Sequence, residues 1–451
     1  MHLKDGILGY IENKEIQKLK SLLQEAEAIE ILFAMGELSG REKAIVFRLL
    51  PKDSAIEVFE QLDSGLQQTL LQSFTDEKVI EIVNEMAPDD RVRLLDEMPA
   101  KVAKRLLGLL SPEERKTTNI LMGYEPETAG RVMTTEYMSL KREMTVADAI
   151  AKIKLQAIDK ETIYTLYVTD ALRKLEGVVT LKDLIVAEPT DKISDVMSDS
   201  IVWVRTDTDQ EKVARKLQKF DLLAIPVVDS EDRLVGIVTI DDAIDILQEE
   251  ATEDMYAQAG IADVAGTENN KSQTLISGSI WRIWRVRLPF LLITMAAGLL
   301  AGLVIDGFEN ALKATAAAVF IPLIMDMGGN VGTQSSTVFA RGVVLGHIDT
   351  KNFGKFLLKE VFVGFSMGLL VGIVSGIIAS AWQTIGLGLA VGLSLVISMT
   401  LASFLGFIVP FLLIKLKVDQ AAGSAPIITS IKDIVGLLVY FVCVTIFLGI
   451  F

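Results

Sequence analysis

WRVRLPFLLITMAAGLLAGLVI, residues 284–305, decides the class of this protein. After Arg287 no charged side chain appears until Asp306, and the run is long enough to cross a hydrocarbon core of about 30 Å. What lies on either side of it is different in kind. Residues 1–283 carry 52 Asp and Glu against 34 Lys and Arg, net −18. Residues 284–451 carry 7 acids against 10 bases, net +3, and together they give the formal charge of −15. Half of the 451 residues are hydrophobic and the mean hydropathy is +0.41. A single soluble domain, a disordered chain and a general nucleic-acid binder are excluded, the last because it needs a basic face. The pattern is that of a membrane protein with a large acidic extramembrane part. The lone Cys443 permits no intrachain disulfide. The start, MHLKDGILGYIENKEIQKLK, lacks a basic segment followed by an apolar one and is expected not to be a cleavable signal peptide.

Five apolar segments are expected, at about 284–305, 313–338, 355–382, 386–414 and 424–449. Bases alternate between the loops. Arg282, Arg285 and Arg287 precede the first span, Arg341, Lys351, Lys355 and Lys359 follow the second, and Lys415 and Lys417 follow the fourth. The loops after the first and third spans are poor in bases. By the positive-inside rule the acidic half is then cytoplasmic, and five spans put Phe451 outside, as in a multi-pass plasma-membrane protein. Gly364, Gly368, Gly372 and Gly376 recur every four residues, a spacing that lets helix backbones approach closely, either within the chain or between subunits.

Carboxylates at membrane depth are costly and usually face a partner or a watery path. Asp326 lies in IPLIMDMGGNVGTQSST and Asp433 in TSIKDIVGLLVYF. Pro322, Gly328, Gly329 and Gly332 surround the first, and Gly423 and Pro426 precede the second. These predict broken helices whose carbonyls line a cation path. The alternative for Asp433 is an ion pair with Lys432, but neighbours on a helix point about 100° apart, which makes that pair poor geometry. Oxygen ligands without Cys or His clusters suit hard ions such as Mg²⁺ or Ca²⁺, and few carboxylates in a roomy path suit hydrated Mg²⁺. This narrows the ion class without selecting Mg²⁺ over Mn²⁺ or Co²⁺.

Residues 1–130 read as an all-α helical repeat, punctuated at LLPKD (49–53), MAPDD (86–90), EMPAK (97–101) and LSPEE (110–114). Residues 131–250 hold an imperfect tandem repeat. RVMTTEYMSL with EGVVTLKDLI (176–185) is matched by DVMSDSIVWV with VGIVTIDDAI (235–244), each expected to form a strand, a G-x-V-T turn and a helix. The repeat resembles a pair of CBS domains, compact α/β modules that often bind adenine nucleotides such as ATP. The resemblance implies a ribose contact at Asp183 and Asp242, for which helix capping is the structural alternative. Residues 246–280 form the expected connecting helix and linker. Glu249, Glu250, Glu253 and Asp254 cluster there, with like charges at i, i+4 that repel unless a cation bridges them.

The order of modules, with PLIMDMGGNVGTQSS (322–336), DQAAGSAPIITSIKDIVGLLVYF (419–441) and EEATED (249–254), resembles the MgtE family of magnesium channels over essentially the whole chain. That resemblance implies a homodimer in the lipid bilayer, with a pore aspartate at Asp433 and the GGN segment Gly328, Gly329 and Asn330 near the ion path. It also implies cytoplasmic Mg²⁺ sites at Asp209, Glu211, Asp221, Asp242, Asp245, Glu250, Glu253 and Asp254, with Asp89 or Asp90 from the N domain. Gln218 stands where a further acid is expected. The implied mechanism is Mg²⁺ conduction shut off when cytosolic Mg²⁺ bridges the acidic domains. A gradient-coupled divalent-cation carrier and a nucleotide-sensing regulator are the competing readings. An enzyme is not expected, since the two histidines, His2 and His347, lie in no catalytic constellation.

Overall fold

The computed structural model describes residues 2–13, 15–62, 66–67, 70–71, 76–98, 100–261, 275–276, 279–309, 312, 316–416 and 424–449. The chain forms two compact units, one up to Glu250 and one from Ala251 onward.

The first unit begins with short helices of nine to eleven residues, from His2–Glu12 to Pro112–Met122. Their starts follow from sequence. Pro88 and Pro112 sit in the first helical turn, where a missing N–H costs nothing. The Ser111 hydroxyl accepts from the Glu114 N–H, and Glu27/Glu30 and Ser39/Glu42 form capping boxes. Leu19, Leu23, Ile31, Phe47, Val58, Phe59, Val79, Ile82 and Val83 share one core. Arg91 is buried and donates to the carbonyls of Val83, Asn84 and Met86 at 2.7, 3.0 and 2.6 Å, while its guanidinium also pairs with Glu114. It thereby satisfies carbonyls left open at the end of the Asp76–Glu85 helix.

The tandem repeat folds as two three-stranded sheets of the same design. In the first, Ser139–Leu140 pairs parallel with Thr165–Thr169, which pairs antiparallel with Leu175–Thr180. In the second, Val204–Arg205, Ala224–Val228 and Leu234–Thr239 repeat that order. The expected G-x-V-T turn is corrected here. Gly177-Val178-Val179-Thr180 is the end of a strand, and the reversal comes earlier, at Arg173, whose φ of 66° is matched by Asp232 at 62°. The two copies also interlock. A Cβ on Gly177 would come within 2.6 Å of the Met197 sulfur, and one on Gly236 within 2.6 Å of the Met133 sulfur. Thr134 bridges to Ile237 and Ser198 to Val178, so the opening segment of each copy lies on the sheet of the other.

The second unit contains five long helices, Ile280–Gly307, Ile321–Val344, Phe353–Trp382, Ile385–Lys415 and Ser424–Leu448. Among the described residues, four are long and apolar enough to cross a membrane, within Ile283–Gly307, Phe353–Trp382, Ile385–Lys415 and Pro426–Leu448. The expected five-span count is thus not confirmed on composition: Ile321–Val344 falls short because Asp326, Asn330, Thr333, Gln334, Thr337 and Arg341 dilute it. Its start also differs from the expected 313, since Ala317–Phe320 forms a short 3-10 turn ahead of Pro322. The glycine spacing in Phe353–Trp382 is explained within the chain. A Cβ on Gly372 would lie 2.6 Å from the Gly392 carbonyl oxygen, and one on Gly376 would lie 3.0 Å from that of Gly388.

Candidate functional site

The expected broken helices are a second correction. Ile321–Val344 runs unbroken through Gly328, Gly329 and Gly332, with Pro322 in its first turn, and the break expected at Gly423 falls outside the described residues. The glycines serve close packing instead. Cβ atoms on Gly328 and Gly332 would meet Lys432 Cδ at 3.2 Å and Ile428 Cγ2 at 3.0 Å. Asp326, Asn330, Thr333, Gln334, Thr337 and Arg341 of Ile321–Val344 lie along one exposed side, where Asn330 donates to Asp326 at 3.2 Å one turn away. Gly423, Lys313 and Lys417 lie outside the described residues, as do 262–274 and 277–278 of the expected linker.

Asp433 and Lys432 do form an ion pair, with Nζ 2.5 Å from Oδ1, contrary to the geometric expectation. The Cβ atoms diverge, but the four-carbon lysine arm curls back over the glycine surface, and its ammonium also donates to the Met325 carbonyl. Asp433 Oδ1 is buried and accepts no well-aligned hydrogen bond, so the contact is one of charge. One acid was not among the expected residues: Glu360, on Phe353–Trp382, accepts from the buried Ser335 hydroxyl at 2.7 Å.

The sensor residues are brought together in part. Asp89 and Asp90, in the first turn of Pro88–Glu97, line one cavity with Asp242 and Asp245 of the long Ile240–Gln258 helix. The same cavity is lined by Glu60, Glu97, Glu161 and Asp241, none of which was among the expected ligands, and by Glu249 of the acidic cluster in the connecting segment. Its volume is about 360 Å³, room for several waters at about 30 Å³ each. Burial pushes the Asp242, Glu60 and Glu161 carboxyls up to about 7 and Asp90 to about 6, with neighbouring acids adding to each. Asp89 is raised too, by burial and then by Asp242, and its buried Oδ1 has no hydrogen-bond partner. Among the described residues Arg93 is the one base on the cavity wall, and it pairs with Asp245 at 3.3 Å and Glu249 at 3.0 Å. Among the described residues no three His, Cys, Asp or Glu side chains converge on a point fit for a bare ion. A hydrated cation suits the site: the carboxyls are short of positive charge, and the space admits its waters.

The remaining expected ligands sit elsewhere or have other work. Asp209 caps the Gln210–Lys219 helix through the Lys212 N–H at 3.2 Å, Glu211 pairs with Arg215 at 2.5 Å, and Asp221 ends that helix at φ 51°. Glu250 accepts from Gln210 at 2.8 Å, while Glu253 and Asp254 lie one turn further along Ile240–Gln258. Beyond that helix, Gly260 at φ 74° approaches the last apolar helix so closely that a Cβ would lie 2.9 Å from Pro426. Asp183 takes part in a capping box, with the Thr180 hydroxyl donating at 2.6 Å, and Thr239 donates likewise to Asp242 at 2.8 Å. The capping alternative is therefore realised at Asp183, whereas Asp242 shows only the hydroxyl contact.

Comparison with known proteins follows the same division. A profile described as divalent cation transporter matches residues 321–443, one described as the MgtE intracellular N domain matches 23–127, and CBS domains match 129–189 and 193–249. The magnesium transporter MgtE of Thermus thermophilus is 36% identical over 435 residues, 95% of each chain. The chain belongs to the MgtE family. The magnesium transporter MgtE of Bacillus subtilis is 33% identical over 98% of this chain and 96% of its own. A crystal structure of the cytosolic domain of the Mg²⁺ channel MgtE in complex with ATP superposes with a TM-score of 0.52 at 36% identity, over 54% of this chain and 99% of that one. The soluble part of a magnesium transporter gives 0.52 at 31% identity, over 55% and 98%. The acidic cavity lies within the stretch matched by the MgtE N domain and CBS profiles, and Asp326, Asn330 and Asp433 within the stretch matched by the transporter profile.

Proposed function

We propose that this MgtE protein carries Mg²⁺ across the plasma membrane as a homodimeric channel, and that cytosolic Mg²⁺ shuts it. Five spans are proposed, with the polar Ile321–Val344 helix as the one that faces the ion, residues 1–283 in the cytoplasm and the carboxyl terminus outside. The proposed parts are a helical N domain (1–130), a CBS pair (131–250), a connecting segment (246–280) and a membrane domain (281–451). Conduction is assigned to Asp433, with Asp326, Gly328, Gly329 and Asn330 along the path. Sensing is assigned to Asp89, Asp90, Asp242 and Asp245, joined by Asp241 and Glu161, with Asp209, Glu211, Asp221, Glu250, Glu253 and Asp254 as outer contributors. An adenine nucleotide at the CBS pair, with Asp183 on its ribose, is the second ligand proposed.

The observation that carries this reading is the cavity in which carboxyls from an N-domain helix face carboxyls from the Ile240–Gln258 helix. Such a site repels itself when empty and is drawn together by divalent ions, and a ligand shifts an equilibrium only by its differential affinity for the two states. The test is Mg²⁺ flux into proteoliposomes holding the full chain, with Mg²⁺ on the cytoplasmic face varied. Flux that falls as cytoplasmic Mg²⁺ rises into the millimolar range is expected. Flux indifferent to it would remove the gating assignment, and absence of Mg²⁺ flux the transport assignment. Single-channel currents are expected for a channel and absent for the gradient-coupled carrier.

A further inference from the structure

Lys432 is a cation already seated at the carboxylate assigned to the permeating ion. It is 5% exposed on a helix that otherwise reads as membrane-spanning. A charge in such a place is stable only if paired, and here its partners are the Asp433 carboxylate and the Met325 carbonyl. The fit is built on both sides. Gly328 and Gly329 face the lysine arm, and a Cβ on Gly329 would come within 2.9 Å of Nζ. No other basic side chain pairs with Asp433 among the described residues.

We infer that Lys432 is a specificity-determining residue: a tethered competitor that neutralises Asp433 until a divalent ion displaces it. The inference rests on the reading of Asp433 as the permeation site. The physics is a contest of charge. A sodium or potassium ion brings the same charge as the ammonium, must shed water to bind, and gains no advantage over a group already in place. A divalent ion brings twice the charge and takes the carboxylate, while the Met325 carbonyl remains as an acceptor for the displaced ammonium. The tether thus weakens monovalent occupancy more than divalent occupancy. It also lowers the apparent Mg²⁺ affinity by the fraction of time the carboxylate is covered, about tenfold if it is free one-tenth of the time.

The test uses full-length protein in proteoliposomes with three variants. Lys432→Gln removes the charge but keeps a donor for the Met325 carbonyl, Lys432→Met removes both, and Asp433→Asn checks the underlying reading. For Lys432→Gln and Lys432→Met the external Mg²⁺ giving half-maximal flux is expected to fall by about tenfold, and a K⁺ flux absent from the parent is expected when divalent ions are withheld. Asp433→Asn is expected to abolish Mg²⁺ flux. If it does so while half-saturation and K⁺ flux in the lysine variants match the parent, the competitor role is overturned and the pore assignment stands. Parental flux from folded Asp433→Asn overturns the pore assignment itself. A change confined to the maximal rate, or failure of both lysine variants to fold, would make Lys432 a packing residue and likewise overturn the inference.

Discussion

The Arg93 guanidinium lies 3.0 Å from the Glu249 carboxylate, joining a helix of the N-terminal part to the long helix that leaves the second CBS sheet. With its second contact to Asp245, it is a resident positive charge in a cavity whose other charged lining residues, among those described, are acids. Arg93 is 44% exposed on its side chain, so each pair is worth only about 0.2–1 kcal/mol. For Arg93→Ala, tryptic digestion of the cytoplasmic part without Mg²⁺ should accelerate several-fold, while digestion at saturating Mg²⁺ should match the parent. Equal rates for both proteins without Mg²⁺ would show that the guanidinium does not hold the two helices together.

Proton release follows from the raised carboxyls. Asp242, Glu60 and Glu161 titrate near 7 and Asp90 near 6, above the usual carboxylate range. The folded protein therefore binds more protons than the unfolded chain between about pH 4 and 7, and these groups stabilise it least at high pH. Stability in Mg²⁺-free buffer should fall as pH rises from 5 to 8, with the loss largely cancelled by Mg²⁺. Because the metal takes the deprotonated form, binding near pH 6.5 should release protons, and near pH 9 it should release none. Calorimetry in buffers of different ionisation enthalpy reads this directly. A proton count of zero at both pH values would contradict the assigned cavity.

Gating and conduction separate in the variant with Glu250, Glu253 and Asp254 all changed to Ala. These residues lie on Ile240–Gln258, away from Asp433 in sequence and outside the apolar spans. Mg²⁺ flux should persist at cytoplasmic Mg²⁺ levels that silence the parent, with the order of preference among divalent ions unchanged. An inhibition curve superimposable on the parent's would return the cluster to solvated surface charge.

Glycine contacts give a stability prediction with its own control. Gly372→Ala places a Cβ 2.6 Å from the Gly392 carbonyl oxygen, and backbone must move. A loss of roughly 1–3 kcal/mol is expected in detergent unfolding. Gly298→Ala, on Ile280–Gly307 with nothing within 4 Å, should be neutral or mildly stabilising, because alanine favours the helix. In the CBS pair, Gly236→Ala meets the backbone oxygen of Thr134 at 2.7 Å as well as the Met133 sulfur, whereas the nearest atoms to a Cβ on Gly177 are all from the Met197 side chain. Gly236→Ala should therefore be the more damaging of two otherwise equivalent changes.

Local signals in the chain were legible wherever one element decided the outcome. Prolines at 88 and 112 marked helix starts, and four of the apolar runs matched helices to within a few residues. The Thr180–Asp183 spacing announced its cap. What escaped the sequence needed two elements at once. Glu161 and Asp241 join the acidic cavity only because a loop of the first CBS copy faces the helix of the second. The exchange of Met133 and Met197 between copies has no signature in either copy read singly. Lys432 shows the same limit: side-chain vectors on one helix argued against its pair with Asp433, and the glycines that make room for the curled lysine arm lie a hundred residues away.

The glycine-lined seam between Phe353–Trp382 and Ile385–Lys415 has a mechanical meaning. At its centre backbone meets backbone, at Gly372 against Gly392 and at Gly376 against Gly388, with the short side chains of Ser380, Val396 and Ser403 beside the glycines. Sliding or prying such a seam would break contacts along its whole length together, so the two helices behave as one girder. Motion that opens or closes a path in this unit is then left to the joints that side chains fill. The Lys432 arm lying against Gly328 and Gly329, between Ile321–Val344 and Ser424–Leu448, is one such joint. The girder is the fixed wall against which the polar helix and the lysine-bearing helix can work.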